Sequence, residues 1–225
     1  LLRATQQGWS DGPIRDLVAA FAPGDLLVVN DTRVLQARLF GLRPTGGRVE
    51  ILVLGPTSAM VRPGRRVKVG ERVTLLSRDG TPSSYGVVIG AAVGEGARSV
   101  QFDALPAQVM SDCGHVPLPP YMNREATAED ARRYQTVFAT EPGAVAAPTA
   151  SLHLTTAILD ALKQRGVDVC RVTLHVGAGT FRNLRSEDLD RGRLHAERYV
   201  VPVATAEAIA KAKAEGRRIT AVGTT

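Results

Sequence analysis

Cysteine is scarce in this chain: Cys113 and Cys170 are its two examples, far apart and outside any metal-ligand spacing. The pair reads as reduced thiols in a cytoplasmic protein, with no metal site. No run of about eighteen apolar residues occurs, so a membrane span is not expected. The opening "LLRATQQGW" lacks the basic, apolar and small-residue zones of a secretion signal. Lysine is also sparse, and the charge balance rests on arginine: 28 Lys plus Arg against 22 Asp plus Glu, a formal charge of +6. Guanidinium forks match phosphates bidentately and stack on bases, which suits nucleic acid; an Arg-rich genome gives the same composition, so charge alone does not choose.

With 225 residues the chain can build one large core or two modest ones. The N-terminal stretch predicts a short strand, a turn around Gly8 to Pro13, and a helix over Ile14 to Phe21 stopped by "APGD". "DLLVVND" is a buried strand ending at Asn30 and Asp31. From Ala37 the texture becomes short β-like runs between Gly, Pro and Asp-Gly turns, the pattern of a small antiparallel sheet or closed barrel. "GHVPLPPYMNR" closes that region as a stiff, extended connector.

Beyond it, "TAEDARRYQTVFA" predicts a helix capped by Thr127. "TASLHLTTAILDALKQRG" predicts a second one, capped by Thr149 and ended by Gly166, with Leu152, Leu159 and Leu162 on one face. "VDVCRVTLHVGAGTF" is a strand entering a glycine turn, and the remainder adds strand, helix and strand. The fold class is therefore α/β, a discontinuous α/β domain with an inserted small antiparallel β-barrel domain. The expected boundaries are 1–36 and 121–225 for the α/β domain and 37–120 for the barrel. The final strand-like "ITAVGTT" leads us to expect a further C-terminal portion.

Several places could carry chemistry. With Thr149 as cap, His153 would lie in an opening helical turn, where unpaired N–H groups bind anions and favour neutral imidazole. The small residues from Gly143 to Ala147 before it would let another molecule come close. In "LHVGAGTF", His175 shares a strand face with Arg171 and Thr173, and Gly177 and Gly179 follow at a strand end, where α/β domains bind ligands. Asn30, Asp31, Thr32 and Arg33 sit at another strand end. His195, Glu197 and Tyr199 alternate, so a strand would aim all three one way. Arg62, Arg65 and Arg66 form a basic turn in the β-rich region, and Arg132 and Arg133 lie beside Tyr134 and Gln135; both clusters could follow an RNA backbone. Each has a plainer structural reading: core or helix-bonded histidines, a tight turn, local pairing or solvated surface.

"GDLLVVNDTRV", "GHVPLPPYMNR", "YQTVFA", "GAVAAPTASLHLT", "LHVGAGTF" and "HAERYVVP" stand in this order and together resemble the S-adenosylmethionine:tRNA ribosyltransferase-isomerase family of queuosine biosynthesis. The resemblance covers nearly the whole chain and implies more family sequence upstream of Leu1 and beyond Thr225. Ser151 stands where the family commonly has Gly, and Leu154 where an aromatic is usual.

The resemblance implies transfer and isomerisation of the ribosyl part of S-adenosylmethionine onto 7-aminomethyl-7-deazaguanine (preQ1) at the tRNA wobble position. Epoxyqueuosine forms while adenine and methionine leave, in the cytoplasm, on a monomer without metal or redox cofactor. S-adenosylmethionine is then a consumed co-substrate. A base for the acidic C5′ hydrogens beside the sulfonium and an acid for departing adenine are needed. His153 and His175 are the first candidates and Glu197 and His195 the second; the His153 turn could instead hold the methionine carboxylate. Asn30, Asp31, Arg33, Tyr134, Gln135, Thr149, Gly177, Gly179 and Tyr199 would bind substrate, and Arg62, Arg65, Arg66, Arg124 and Arg133 would bind tRNA. The alternatives are a basic RNA-binding module without catalysis and an S-adenosylmethionine-dependent RNA methyltransferase. Against the latter, the early strand ends in "NDTR" and not in a glycine loop.

Overall fold

The computed structural model describes residues 1–94, 96–181, 190, 192 and 196–223. The chain forms two compact units. The α/β unit comprises Leu1–Arg33, Gln135–Val176 and the described residues from Ala196 onward; the β-barrel unit comprises Val34–Tyr134 and the described part of 177–195. The divisions at 33/34 and 134/135 differ from the expected 36/37 and 120/121, because the stretch before Tyr134 goes with the barrel.

The α/β unit begins with an antiparallel hairpin, β1 (Leu2–Thr5) and β2 (Gly8–Asp11), where the sequence predicts a turn from Gly8. The segment Ile14–Ala20 is a 3-10 helix and not the expected α-helix. Its partly buried Ile14, Leu17 and Val18 pack on the core all the same.

β3 (Leu26–Asn30) is the central strand of a four-stranded sheet. Leu26, Leu27 and Val29 are buried, as a continuous apolar run must be when both sheet faces are covered. β12 (Asp168–His175) and β14 (Ile219–Val222) flank it in parallel, and β13 (Arg198–Val200) adds to β12 antiparallel. A two-stranded pair, β4 (Thr32–Val34) with β11 (Glu141–Ala144), follows the end of β3.

Among the described residues, two α-helices serve this sheet. The helix Thr156–Gln164 is capped by Thr155, whose hydroxyl accepts from the Ile158 N–H. Thr149 caps nothing: Thr149–His153 is a separate 3-10 turn, and Leu154 interrupts the run. The buried face is accordingly Leu154, Ile158 and Leu162, joined by Phe21, Leu27, Val29, Phe138 and Val167, and not the face built on Leu152. The helix Val203–Ala214 is Ala-rich and buries Thr205 and Ala212, with the Thr205 hydroxyl donating to the Arg171 carbonyl.

The barrel closes through six strands in the order β10-β7-β6-β5-β8-β9, every pair antiparallel. They are β5 (Arg38–Leu42), β6 (Arg48–Gly55), β7 (Ser58–Arg62), β8 (Glu71–Leu76), β9 (Pro82–Gly94) and β10 (Ala97–Phe102). Leu39, Val49, Ile51, Val73, Leu75, Val87 and Ile89 fill its interior. Closure removes the edges that an open sheet would expose.

The helix α1 (Pro106–Cys113) was not foreseen. Pro106 in its first turn is the usual place for a residue lacking an N–H, and the sequence signal was there to read. Tyr85 Oη donates to Asp112, and Arg78 donates to the Ser111 and Gly114 carbonyls, which fixes α1 to the barrel. The proline-rich segment after it is packed and not a free connector, with Val116 and Leu118 buried.

Candidate active site

β3 and β12 run in parallel with Asn30 opposite Val172, so Asn30 and His175 close adjacent strands at the same end of the sheet. In open α/β sheets ligands gather outside these carboxyl ends. Here three consecutive residues leaving β3 each take hold of β12.

Asn30 acts first. Its Nδ2 donates to the Leu174 carbonyl at 2.9 Å, and its Oδ1 accepts from the Leu174 N–H at 3.0 Å and the Thr32 N–H at 3.1 Å. A side-chain amide thus supplies one more rung of sheet-like pairing. Asp31 is buried, and its Oδ1 accepts from Thr173 Oγ1 at 2.7 Å while Oδ2 accepts from Thr140 Oγ1 at 3.3 Å. Its carbonyl accepts from the N–H groups of Thr140 and Glu141. Thr32, 1% exposed, places its Oγ1 2.9 Å from His175 Nδ1 and 3.5 Å from the Glu141 carbonyl.

Gly143 completes the arrangement. A Cβ at that position would lie 2.5 Å from His175 Nδ1 and 2.6 Å from Cε1, so only glycine lets β11 lie flat against the imidazole. His175 is half-buried, held at Nδ1 by Thr32 and packed on its ring by Gly143.

Other expected site residues lie elsewhere or in different surroundings. His153 is exposed at the close of a five-residue 3-10 turn, so the helix terminus that was to bind an anion there does not exist. Ala144 to Ala147 are buried, which removes the anticipated approach surface before it. Ser151 is fully buried, its hydroxyl toward the Val222 carbonyl, and Leu154 belongs to the hydrophobic core; both are packing positions. Thr149 and Arg33 are exposed, Gln135 is half-buried and Tyr134 is buried.

Glu197 is half-buried just before β13; Tyr199 lies within that strand, paired with Leu174 and 69% exposed. The alternation of His195, Glu197 and Tyr199 along one strand is not observed, since β13 starts at Arg198; His195 lies outside the described residues. Gly177 and Gly179 belong to a turn that includes the 3-10 segment Ala178–Phe181. His115 is structural, its backbone bridged to Arg38 and its ring edge-on to Phe40. Burial pushes that imidazole below its ordinary value.

Among the basic candidates, Arg62, Arg65 and Arg66 surround an exposed turn of the barrel with no ion pair among the described residues. Arg124 is different. Its guanidinium grips both oxygens of Asp130, at 2.6 and 2.8 Å, and holds that carboxyl far below the usual range. Asp130 in turn forms the capping box of the helix Ala128–Arg133, so Arg124 closes a local structure. Arg133 is exposed, 3.7 Å from Glu129.

The sequence offers Thr32, Gly143 and Thr173 only as neighbours of the candidate residues, and Thr140 not at all. The signal for them is the polar triplet "NDT" directly after a fully apolar strand, which must find partners on a neighbouring strand if it is buried. No group of three or more His, Cys, Asp or Glu suited to a metal occurs among the described residues.

The family model for queuosine biosynthesis proteins matches residues 1–225. The chain is 45% identical over 240 residues to the S-adenosylmethionine:tRNA ribosyltransferase-isomerase of Syntrophotalea carbinolica, covering 100% of this chain and 66% of that protein. It is 48% identical over 229 residues to the protein of the same name from Azoarcus sp., covering 93% and 61%. A solved S-adenosylmethionine tRNA ribosyltransferase from Thermotoga maritima aligns with 97% of this chain and 58% of its own, with 23% identity and a TM-score of 0.35. The chain thus spans 61% to 66% of the length of these two curated relatives.

Proposed function

The chain belongs to the queuosine biosynthesis protein family, and we propose that it performs the reaction for which its relatives are named. In this reading it moves the ribosyl moiety of S-adenosylmethionine onto preQ1 in the tRNA anticodon, giving epoxyqueuosine with loss of adenine and methionine. S-adenosylmethionine is consumed, no metal or redox cofactor takes part, and the protein works as a cytoplasmic monomer.

The observation that supports this reading is the His175 imidazole, held at the carboxyl end of β12 by Thr32 and Gly143. An imidazole can accept a proton at one nitrogen or donate one from it, the two kinds of transfer the reaction requires. It would take the C5′ proton beside the sulfonium or deliver one to departing adenine. Asn30 and Asp31 spend their polar atoms on β12 and Thr140, so their part is to hold the strand ends in place. The exposed Arg62, Arg65 and Arg66 would meet tRNA phosphates.

The test is to incubate this chain with S-adenosylmethionine and preQ1-containing tRNA and follow the products by chromatography. Adenine and methionine are expected. S-adenosylhomocysteine would make it a methyltransferase, and tRNA binding without consumption of S-adenosylmethionine would make it a binding module.

A further inference from the structure

We propose that Thr32 is a positioning residue for His175: its hydroxyl holds Nδ1 in both protonation states of the ring and leaves Nε2 as the nitrogen that exchanges protons. The catalytic part of this inference rests on the proposed role of His175.

The argument starts from the two contacts of one hydroxyl. Thr32 Oγ1 lies 2.9 Å from His175 Nδ1, within ordinary hydrogen-bond range, and 3.5 Å from the Glu141 carbonyl, at its limit. The hydroxyl is buried, so its single proton needs an acceptor. With a neutral ring, the shorter contact wins: the O–H donates to Nδ1, which must then be unprotonated, and the ring proton sits on Nε2. With an imidazolium, Nδ1 carries a proton and donates to Oγ1. The hydroxyl then rotates to the Glu141 carbonyl. No heavy atom has to move between the two states, since a hydroxyl is both donor and acceptor.

Gly143 covers a face of the same end of the ring: a Cβ on it would lie 2.5 Å from Nδ1, 2.6 Å from Cε1 and 3.0 Å from Cγ. Nδ1 itself is occupied by its hydrogen bond with Thr32 Oγ1. Only Nε2 is then available to gain or lose a proton in the reaction. Among the described residues, the titratable ones on the elements around the ring are Arg198, its register partner on β13, and Tyr199 next to it, Glu141 on β11, and Asp31 and Arg33 flanking Thr32. A chemically inert side chain of the same shape, valine, would keep the packing and lose the tautomer choice.

The experiment follows the ring nitrogens directly. In the 15N-labelled chain, His175 signals are assigned by their disappearance in His175→Gln. When neutral, the wild-type ring is expected to show unprotonated Nδ1 and protonated Nε2. Thr32→Val should give a mixture of tautomers. It should lower kcat about tenfold, a fraction of the 10²–10⁴ supplied by a placed acid or base, with KM for S-adenosylmethionine within about twofold. Thr32→Ser should restore both. If Thr32→Val does not fold, as melting curves would reveal, Gly143→Ala replaces it; a methyl pressed on the ring should push Nδ1 off the Thr32 hydroxyl and likewise mix the tautomers.

A wild-type neutral ring protonated at Nδ1, or wild-type tautomer and kcat in the folded Val variant, would overturn the inference. Unimpaired turnover by His175→Gln would remove the catalytic role of His175. The ring-nitrogen spectra would still decide whether Thr32 sets its tautomer.

Discussion

Thr173 Oγ1 donates to Asp31 Oδ1 at 2.7 Å, joining two buried residues that stand 142 positions apart in the chain. That bond binds the ends of β3 and β12 together beside His175. A carboxylate that accepts from two hydroxyls in the interior is satisfied without a ligand, so Asp31 reads as scaffold for the site.

Asp31→Ala should therefore destabilise the protein, because the hydroxyls of Thr173 and Thr140 lose their acceptor. The cost of leaving buried polar groups unpaired is about 1–3 kcal/mol. Denaturant melts of wild type and variant would measure it; an unchanged midpoint would contradict the scaffold role.

His175→Gln should reduce adenine release by about 10²-fold or more while S-adenosylmethionine still binds. His153→Gln, at an exposed turn, should change the rate far less. Single-turnover assays with binding measured separately distinguish the two, and the reverse order would move the acid–base role to His153.

Replacing Arg62, Arg65 and Arg66 together by Ala should weaken tRNA binding and flatten its salt dependence. Each lost phosphate contact removes about 0.7–0.9 from the slope of log K against log salt. Arg124→Ala should act instead on stability, since its partner is Asp130. Titrations of preQ1-tRNA at several salt concentrations decide this.

Acid should weaken the α/β unit through Asp25. Its buried carboxylate accepts from both Nε and Nη2 of Arg218 and from the Ala22 N–H, and the Arg218 hydrogen bond foremost holds its pKa below the ordinary value. The ion-pair stabilisation is complete above the unfolded carboxylate pKa of about 3.9 and is lost as pH falls through the lower folded value. In Arg218→Ala the fall in melting temperature below pH 5 should be shallower than in wild type. Parallel slopes would show that the pair contributes nothing.

Much of the fold was legible because its signals are local. The apolar run Leu26–Val29 announces a strand covered on both faces, and the evenly spaced short runs after Ala37 announce the barrel. Thr127 and Gly166 marked helix ends correctly because capping depends on residues a few positions away. The cap of the helix before Gly166 was misplaced by six residues. Thr149 and Thr155 are equally good caps in sequence, and burial of Leu154 in the core selects the second.

The site divides in the same way. Sequence by itself determined that His175 ends a strand, that Asn30, Asp31 and Thr32 end another, and that the chain shares six ordered motifs with the queuosine family. Only the tertiary structure decided that these two strand ends are neighbours, that Asn30 and Asp31 serve β12, and that Thr32 meets Nδ1 of His175 while Gly143 packs on its ring. The reason is physical: strand and cap signals act over a few residues, whereas a hydrogen bond between Thr32 and His175 spans 143 positions and exists only once parallel pairing fixes the register.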